Sequence, residues 1–325
     1  MALPLVSVIV TNWNGLKYLE GCLGSLIGGT FRDIELIMVD NGSEDGSAAW
    51  VMEHYPDIQI VKNPCNLGLA RASNQGARLA RGRYLFFFNN DTISDPHMLE
   101  ELVKVMESDP RVGVAGCVTK DFAGERVLNA GVACDRYGYP YGEGEPLYVD
   151  AGIMIRKSLF DEIGGFDECF FIYKEDVDLC WRVLLLGWEV RVVPEAVFHH
   201  DSFCAFDAGG KYRTTIRKRF LSEAYTLRML LKNYSVRSLL TVLPGYAFIN
   251  AAEFFFFFLR GRWDVAFRVY AASYLWNLSN LASTLGARRR VQKMRRVNDA
   301  AILKRMAKGS GKWQLLREHG IPVVD

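Results

Sequence analysis

Tyr84-Leu85-Phe86-Phe87-Phe88 is a run of five large apolar residues that ends abruptly in Asn89-Asn90-Asp91. Such a run suits a strand buried on both faces of a sheet. In open α/β sheets ligands sit just beyond the carboxyl ends of the strands, which is where Asp91 falls. A carboxylate there can hold a hard divalent cation, and the cation can bridge the phosphates of a nucleotide. The competing reading is structural, because Asp91-Thr92-Ile93-Ser94-Asp95-Pro96 also has the composition of a turn and helix N-cap. A second acidic group, Glu175-Asp176-Val177-Asp178, lies at the predicted start of a helix, where the dipole favours carboxylates. There too an ordinary acidic first turn competes with a chemical role, and Asp178 with Arg182 would form an i,i+4 pair.

The flanking segments say what must position these groups. Leu5 to Val10 is a β-branched run ending at Thr11-Asn12-Trp13-Asn14-Gly15, and Leu16 to Leu26 has helical apolar spacing. Ile34 to Val39 reads as a second strand ending on Asp40-Asn41-Gly42-Ser43, with a short helix at Ser47 to His54. Ile58 to Val61 is a third strand, followed by Asn63-Pro64-Cys65-Asn66-Leu67-Gly68 and a helix over Ala70 to Ala80. Tyr84 to Phe88 is the fourth. Alternation of strand and helix at this spacing predicts an α/β fold with a parallel, doubly wound sheet. Three strands then stop at polar clusters on one edge, as in a nucleotide crevice. Neither G-x-G-x-x-G nor G-x-x-x-x-G-K-[ST] occurs after the first strand, so no glycine loop cradles the phosphates, and a metal at Asp91 gains weight.

Val6-Ser7-Val8-Ile9-Val10-Thr11-Asn12-Trp13-Asn14, Val39-Asp40-Asn41-Gly42-Ser43, Asn66-Leu67-Gly68 and Asn89-Asn90-Asp91 together resemble the donor half of a family 2 glycosyltransferase with the GT-A fold. The nearest subgroup is the rhamnosyltransferase-like enzymes of bacterial surface polysaccharide assembly, and the resemblance covers roughly residues 5 to 205. It implies that Thr11, Asn12 and Asn14 line the nucleoside pocket and that Asp40 bonds the base or ribose. Arg71 and Asn74 would lie along the nucleotide. Asn41, Asn66, Gly68, Asn89 and Asn90 would complete the donor side. Asp91 would be the last residue of a D-x-D-like motif holding Mg2+ or Mn2+ on the diphosphate of a dTDP- or UDP-sugar. Asn89 stands where that motif has its first acid.

Leu99 to Met106 continues as a helix and Val112 to Gly116 as a strand, before an irregular Gly- and Tyr-rich stretch over 119–148. Beyond it, Asp150-Ala151-Gly152-Ile153-Met154-Ile155, Gly164-Gly165-Phe166-Asp167 and Phe171-Ile172-Tyr173-Lys174-Glu175-Asp176 extend the resemblance. The last matches the family's acidic element and makes Asp176 the general base, with Glu175 or Asp178 as fallback. Gly152, Tyr173 and Glu175 fall on the acceptor side. Inverting glycosyl transfer needs one such base for the acceptor hydroxyl and a cation for the departing diphosphate. A retaining hydrolase would need a carboxyl pair about 5–5.5 Å apart, for which the sequence offers no argument. Trp188 to Pro194 is a further strand, and Ala196-Val197-Phe198-His199-His200 follows. His199 is a candidate metal ligand and His200 a weaker one; His200-Asp201-Ser202 resembles the family's variable tail.

The net charge of +2 conceals an asymmetry. Residues 211–325 carry 22 Lys and Arg against 6 Asp and Glu, whereas the first 210 carry 17 against 31. A basic C-terminal region on an acidic body points to an anionic partner surface. Nucleic acid fits poorly, since no recognition fold accompanies the charge, and apolar neighbours suit lipid better. The expected division is a catalytic domain over 1–210, with a donor half to about 117 and an acceptor half to 210, followed by a helical region. Arg213 to Tyr234 reads as an amphipathic helix, 239–259 as a strongly apolar one and 265–285 as a milder one. The apolar pair admits three readings: a spanning hairpin, an interfacial hairpin meeting lipid through Arg288-Arg289-Arg290, or a helical pair buried in a homo-oligomer. Seven scattered cysteines without C-x-x-C spacing suit buried thiols in a reducing compartment. With no signal peptide evident at the N-terminus, the body is expected to be cytoplasmic and peripherally held at the membrane. The expected activity is transfer of a sugar to a glycan or lipid-linked acceptor. Its rivals are a sugar nucleotidyltransferase and an inactive membrane-docked nucleotide-sugar-binding module.

Overall fold

The computed structural model describes residues 3–142, 144–201 and 212–325. The chain divides into two compact units: one runs to Val132 and resumes at Tyr148, the other holds Ala133–Leu147 and the C-terminal part. The expected domain boundary at 210/211 lies outside the described residues, as do Ser202 and Cys204.

The first unit contains β1 (Val6–Asn12), α1 (Leu16–Gly28), β2 (Ile34–Asp40), α2 (Ser47–His54), β3 (Gln59–Lys62), α3 (Leu69–Leu79) and β4 (Tyr84–Asn89). It continues with β5 (Thr92–Ser94), α4 (Met98–Ser108), β6 (Val112–Lys120) and β7 (Val127–Asn129). The chain then leaves it for β8 (Ala133–Cys134) and β9 (Pro140–Tyr141), a short antiparallel pair in the second unit. It returns for β10 (Ile153–Arg156), α5 (Lys157–Ile163), α6 (Glu175–Leu185) and β11 (Glu189–His200).

The sheet runs β3-β2-β1-β4-β10-β6-β11-β5, with β7 on β6. The first four strands are mutually parallel, and β6 is parallel to β11. The mostly parallel sheet expected from the alternation is what forms, with antiparallel pairing at β10, which runs against both β4 and β6, and at β5 and β7. Ile153, Met154 and Ile155 are all buried, and a strand apolar on both faces carries no periodicity from which direction can be read. The sheet is mostly parallel with helices packed on it. Val6, Val8 and Val10 of β1 and Tyr84, Phe86 and Phe88 of β4 join Leu19, Leu23 and Leu26 of α1 and Met98 and Leu102 of α4 in one core. On the other face Phe87 packs against Phe160 and Phe166, ring centroids 5.2 and 4.9 Å away.

The second unit adds β12 (Arg213–Thr214), α7 (Ile216–Asn233), α8 (Val236–Leu259), α9 (Trp263–Val265), a π-helical stretch (Ala266–Ala271) and α10 (Ala272–Ser279). α11 (Leu281–Met294), α12 (Asp299–Arg305), α13 (Gly311–His319) and β13 (Val323–Val324) follow, β13 pairing with β12. α8 contains the apolar 239–259 segment and begins earlier because the Ser235 side chain caps it, accepting from the Ser238 amide. Among the described residues it is the one helix long and apolar enough to cross a membrane by length and composition. The single helix expected over 265–285 is instead three pieces: the π-helical stretch, α10 and α11. The last two part at Asn280, which leaves helical geometry at φ −101° while its Nδ2 donates to the Trp276 carbonyl. Ala133–Leu147, expected in the acceptor half, belongs to this unit: the Gly311 amide donates to Asp135 Oδ2 (2.8 Å) and Tyr139 Oη to Glu223 Oε2 (2.6 Å).

Phe86 is fully buried between layers. Phe86→Ala should lower the unfolding free energy by about 3–5 kcal/mol, read by denaturant titration.

Candidate active site

Strand register builds the first half of the site. Asn12 lies opposite Asp40 and Thr11 opposite Asn89, so the last residues of β1, β2 and β4 form one polar edge. Asn12 is buried and tied on three sides: its Nδ2 donates to Asp40 Oδ1 and Ser43 Oγ, each 3.2 Å, and its Oδ1 accepts from Asn90 Nδ2 at 2.6 Å. Asn14 is exposed, with its Oδ1 accepting from the Glu44 amide (2.8 Å) and its own amide donating to Ser43 Oγ (2.9 Å). Thr11 Oγ1 reaches Ser73 Oγ of α3 at 3.4 Å.

Other expected donor-side residues hold loops together. Asn41 is buried; its Nδ2 donates to Asn66 Oδ1 (3.0 Å), and its Oδ1 accepts from Asn63 Nδ2 (3.1 Å) and the Leu67 amide (3.0 Å). Gly68 has φ +89°, and a Cβ there would stand 2.6 Å from the Phe171 carbonyl oxygen. The 166–174 loop can therefore lie directly on the start of α3. Both ends of the Asn74 amide are engaged with the Phe166 backbone, each at 2.9 Å. Arg71 pairs with Glu168 at 3.3 Å, both half exposed. Asn89 contributes its carbonyl to the Thr92 hydroxyl.

Asp91, half-buried just past β4, is met by His200: Nε2 to Oδ1, 3.1 Å. His199 is not brought to Asp91. Successive residues of a strand face opposite sides of the sheet, and both nitrogens of His199 are engaged there, with Asp95 Oδ1 (2.9 Å) and the Asp121 carbonyl (3.0 Å). The Asp201 amide donates to the Asp91 carbonyl at 3.1 Å, fixing the end of β11 beside the turn after β4.

The second half of the site is the start of α6. Asp178 and Arg182, the expected i,i+4 pair, meet at 2.8 Å and are buried, so Asp178 is a structural partner. Glu175 is buried, and its Oε2 has no hydrogen-bond partner. Burial first, and the neighbouring Asp176 charge second, push the Glu175 carboxyl up. Asp176 is half-buried and is pushed up by desolvation, then by the charge of Asp150. Asp150 is itself raised by burial, opposed by a hydrogen bond from Asn129 Nδ2 and by the nearby His200. Asp150 is therefore within electrostatic reach of both Asp176 and His200. The sequence places Asp150 in a segment that extends the resemblance but gives no sign of this electrostatic contact. Gly152, at φ +65°, packs against Phe198 and Cys117.

Four described non-glycine residues have positive φ: Asn14 (49°), Ala151 (34°), Tyr173 (74°) and Lys174 (70°). All four adjoin the polar strand end of β1, the Asp150 turn or the start of α6. Backbone strain of this kind clusters where surrounding structure holds functional groups in place. Among the described residues no three His, Cys, Asp or Glu side chains converge as a metal cage.

A family model described as Glycosyl transferase family 2 matches residues 7–177, and the chain belongs to that family. It is 27% identical over 235 residues to the N-acetylglucosaminyl-diphospho-decaprenol L-rhamnosyltransferase of Mycobacterium tuberculosis (strain CDC 1551 / Oshkosh), covering 61% of this chain and 76% of that protein. Mannosyltransferase PcManGT from Pyrobaculum calidifontis, solved with GDP-Man and Mn2+, matches with a TM-score of 0.53 at 19% identity, over 96% of this chain and 88% of the other. S. aureus TarS 1-349 in complex with UDP matches with a TM-score of 0.52 at 17% identity, over 70% of this chain and 64% of that one. At these identities the two structures bear on the fold alone. It is the GT-A fold with a helical C-terminal region, and the activity class is glycosyl transfer.

Gly68→Ala should lower stability by roughly 1–3 kcal/mol, measured by chemical denaturation, because φ +89° and the Phe171 carbonyl both oppose a side chain.

Proposed function

We propose that the protein transfers a sugar, with inversion, from a nucleoside-diphosphate donor to a hydroxyl of a glycan or lipid-linked acceptor. The observation that carries this reading is the row Asp91, His200, Asp150, Asp176, each in hydrogen-bond or electrostatic contact with the next. One end of the row lies at the polar strand edge, where Thr11, Asn12, Asn14 and Asp40 would receive the nucleoside. The other end offers a half-exposed carboxylate for the acceptor. In the reaction the acceptor oxygen bonds to the anomeric carbon from the face opposite the leaving group. The bond from that carbon to the diphosphate oxygen breaks, and the hydroxyl proton passes to Asp176. The raised affinity of Asp176 for a proton suits a base working near neutral pH.

Asp91 and His200 would hold Mg2+ or Mn2+. One carboxylate oxygen and one imidazole nitrogen form a sparse donor set, which fits an ion whose remaining ligands are diphosphate oxygens and water. Such an ion offsets the charge developing on the departing diphosphate. The rhamnosyltransferase relative supports rhamnose as the sugar, on a dTDP or UDP carrier, and a lipid-linked acceptor. A lipid-linked acceptor would set the enzyme at the cytoplasmic face of a membrane, in keeping with the basic C-terminal region.

Asp176→Asn should reduce sugar transfer at least about 100-fold with donor affinity nearly unchanged, and an unchanged rate would remove the base from the mechanism. Because Asp176 acts deprotonated, activity should fall as pH drops through a range well above that of ordinary carboxylates. Asp150→Asn removes the like charge and should move that acidic limb to lower pH; a limb that stays put contradicts the coupling. Chelation with EDTA should abolish nucleoside diphosphate release, and added Mn2+ or Mg2+ should restore it.

A further inference from the structure

From Pro244 to Leu259 every exposed residue of α8 is apolar. Phe248 and Leu259 are 75% and 82% exposed, Trp263 stacks on Phe258 at the helix end, and Leu275 and Leu278 of α10 are exposed as well. An exposed apolar face this long marks an interaction surface. Cations are exposed at its end and elsewhere in the same unit. Arg260 stacks over Phe256 at 5.2 Å, and Arg289, Arg290 and Lys293 are exposed on α11 with no ion pair among the described residues. Exposed aromatic and aliphatic side chains in a unit that also exposes cations without ion pairs match the acyl and headgroup layers of an anionic bilayer.

The inward face of α8 decides between lying on the bilayer and crossing it. Glu253, well along the helix, pairs with Arg219 of α7 (3.1 Å) and with Lys312 of α13. Lys312 also pairs with the buried Glu223 at 2.7 Å, and Tyr246 Oη donates to the Glu223 carbonyl at 3.1 Å. α7 further buries Arg228 and Lys232. A spanning α8 would either carry these charged partners into hydrocarbon or leave Glu253 unpaired there, and both are costly.

We propose that α8 and the Trp263–Leu278 surface lie in the interfacial layer of an anionic membrane without crossing it, with the α11 cations on lipid phosphates. This deepens the lipid-linked acceptor reading, on which it rests, by naming the surface that would meet the membrane. The test is flotation of the full chain with phosphatidylcholine vesicles, with and without phosphatidylglycerol. Wild type should float only with the anionic vesicles and be released by carbonate. F248D/F255D together should cut vesicle binding at least about tenfold, and R289E/R290E/K293E should abolish the preference for phosphatidylglycerol. Retention after carbonate would mean a span and overturns the proposal. So would sedimentation showing a dimer that F248D/F255D dissolves, without vesicle binding, since the face would then belong to a second copy. Hydrolysis of the sugar nucleotide by the same proteins separates the two readings. Absence of vesicle binding with intact hydrolysis overturns only the docking. Absence of hydrolysis in wild type, with vesicle binding intact, counts against the transferase reading and leaves the docking standing.

Discussion

In-register parallel pairing of β1 with β2 and β4 is the constraint from which the rest follows. A slip of one residue would turn each side chain of β1 to the opposite face of the sheet and strand the buried Ser7 hydroxyl, which donates to Glu35 and accepts from the Gly82 amide, so the register is fixed. Once fixed, it brings Thr11, Asn12, Asp40 and Asn89 to one edge whatever else they do. Buried amides at that edge must find partners, and Asn12 finds Asp40, Ser43 and Asn90. The polar edge is thereby a rigid surface rather than a set of independent loop ends.

The same economy explains why several polar residues near the edge serve the frame. Asn41 and Asn74 use their amides to lock the loops around α3, and Asp178 neutralises Arg182 inside α6. What remains for chemistry is the group whose partners are incomplete. Glu175 keeps an unpartnered buried oxygen, and Asp176 keeps a like-charged neighbour. Carboxylates held in this way resist ionisation, and only the stable core beneath them makes such an arrangement tolerable.

The C-terminal unit has an apolar core around Phe257, Val265, Val269 and Tyr270, but it also buries several charges. Arg219, Glu223, Arg228, Lys232 and Glu253 lie largely inside, while Phe248, Phe255, Phe258 and Phe267 are exposed. Buried charges hold a structure when each is paired, and removal of one partner strands the other. Lys312 sits between Glu223 and Glu253, so α13 is bound to α7 and α8 by charge rather than by apolar burial.

Much of this was legible in sequence, for physical reasons. The run Tyr84–Phe88 ending at Asp91, the helical spacing of α1, α3 and α4, and the acidic start of α6 are local patterns that burial and the helix dipole enforce directly. The motif set pointed to the family that the match over 7–177 shows. Tertiary structure decided what local pattern cannot carry. The direction of β10 is invisible in a strand apolar on both faces. The choice of His200 over His199 beside Asp91 depends on the pairing of β11 with β5, because adjacent residues in a strand point oppositely. Asp150 gains its place only when β10 inserts between β4 and β6. Glu253, an isolated acid in an apolar helix, acquires meaning only from Arg219 and Lys312, which lie 34 residues before it and 59 after it in the chain.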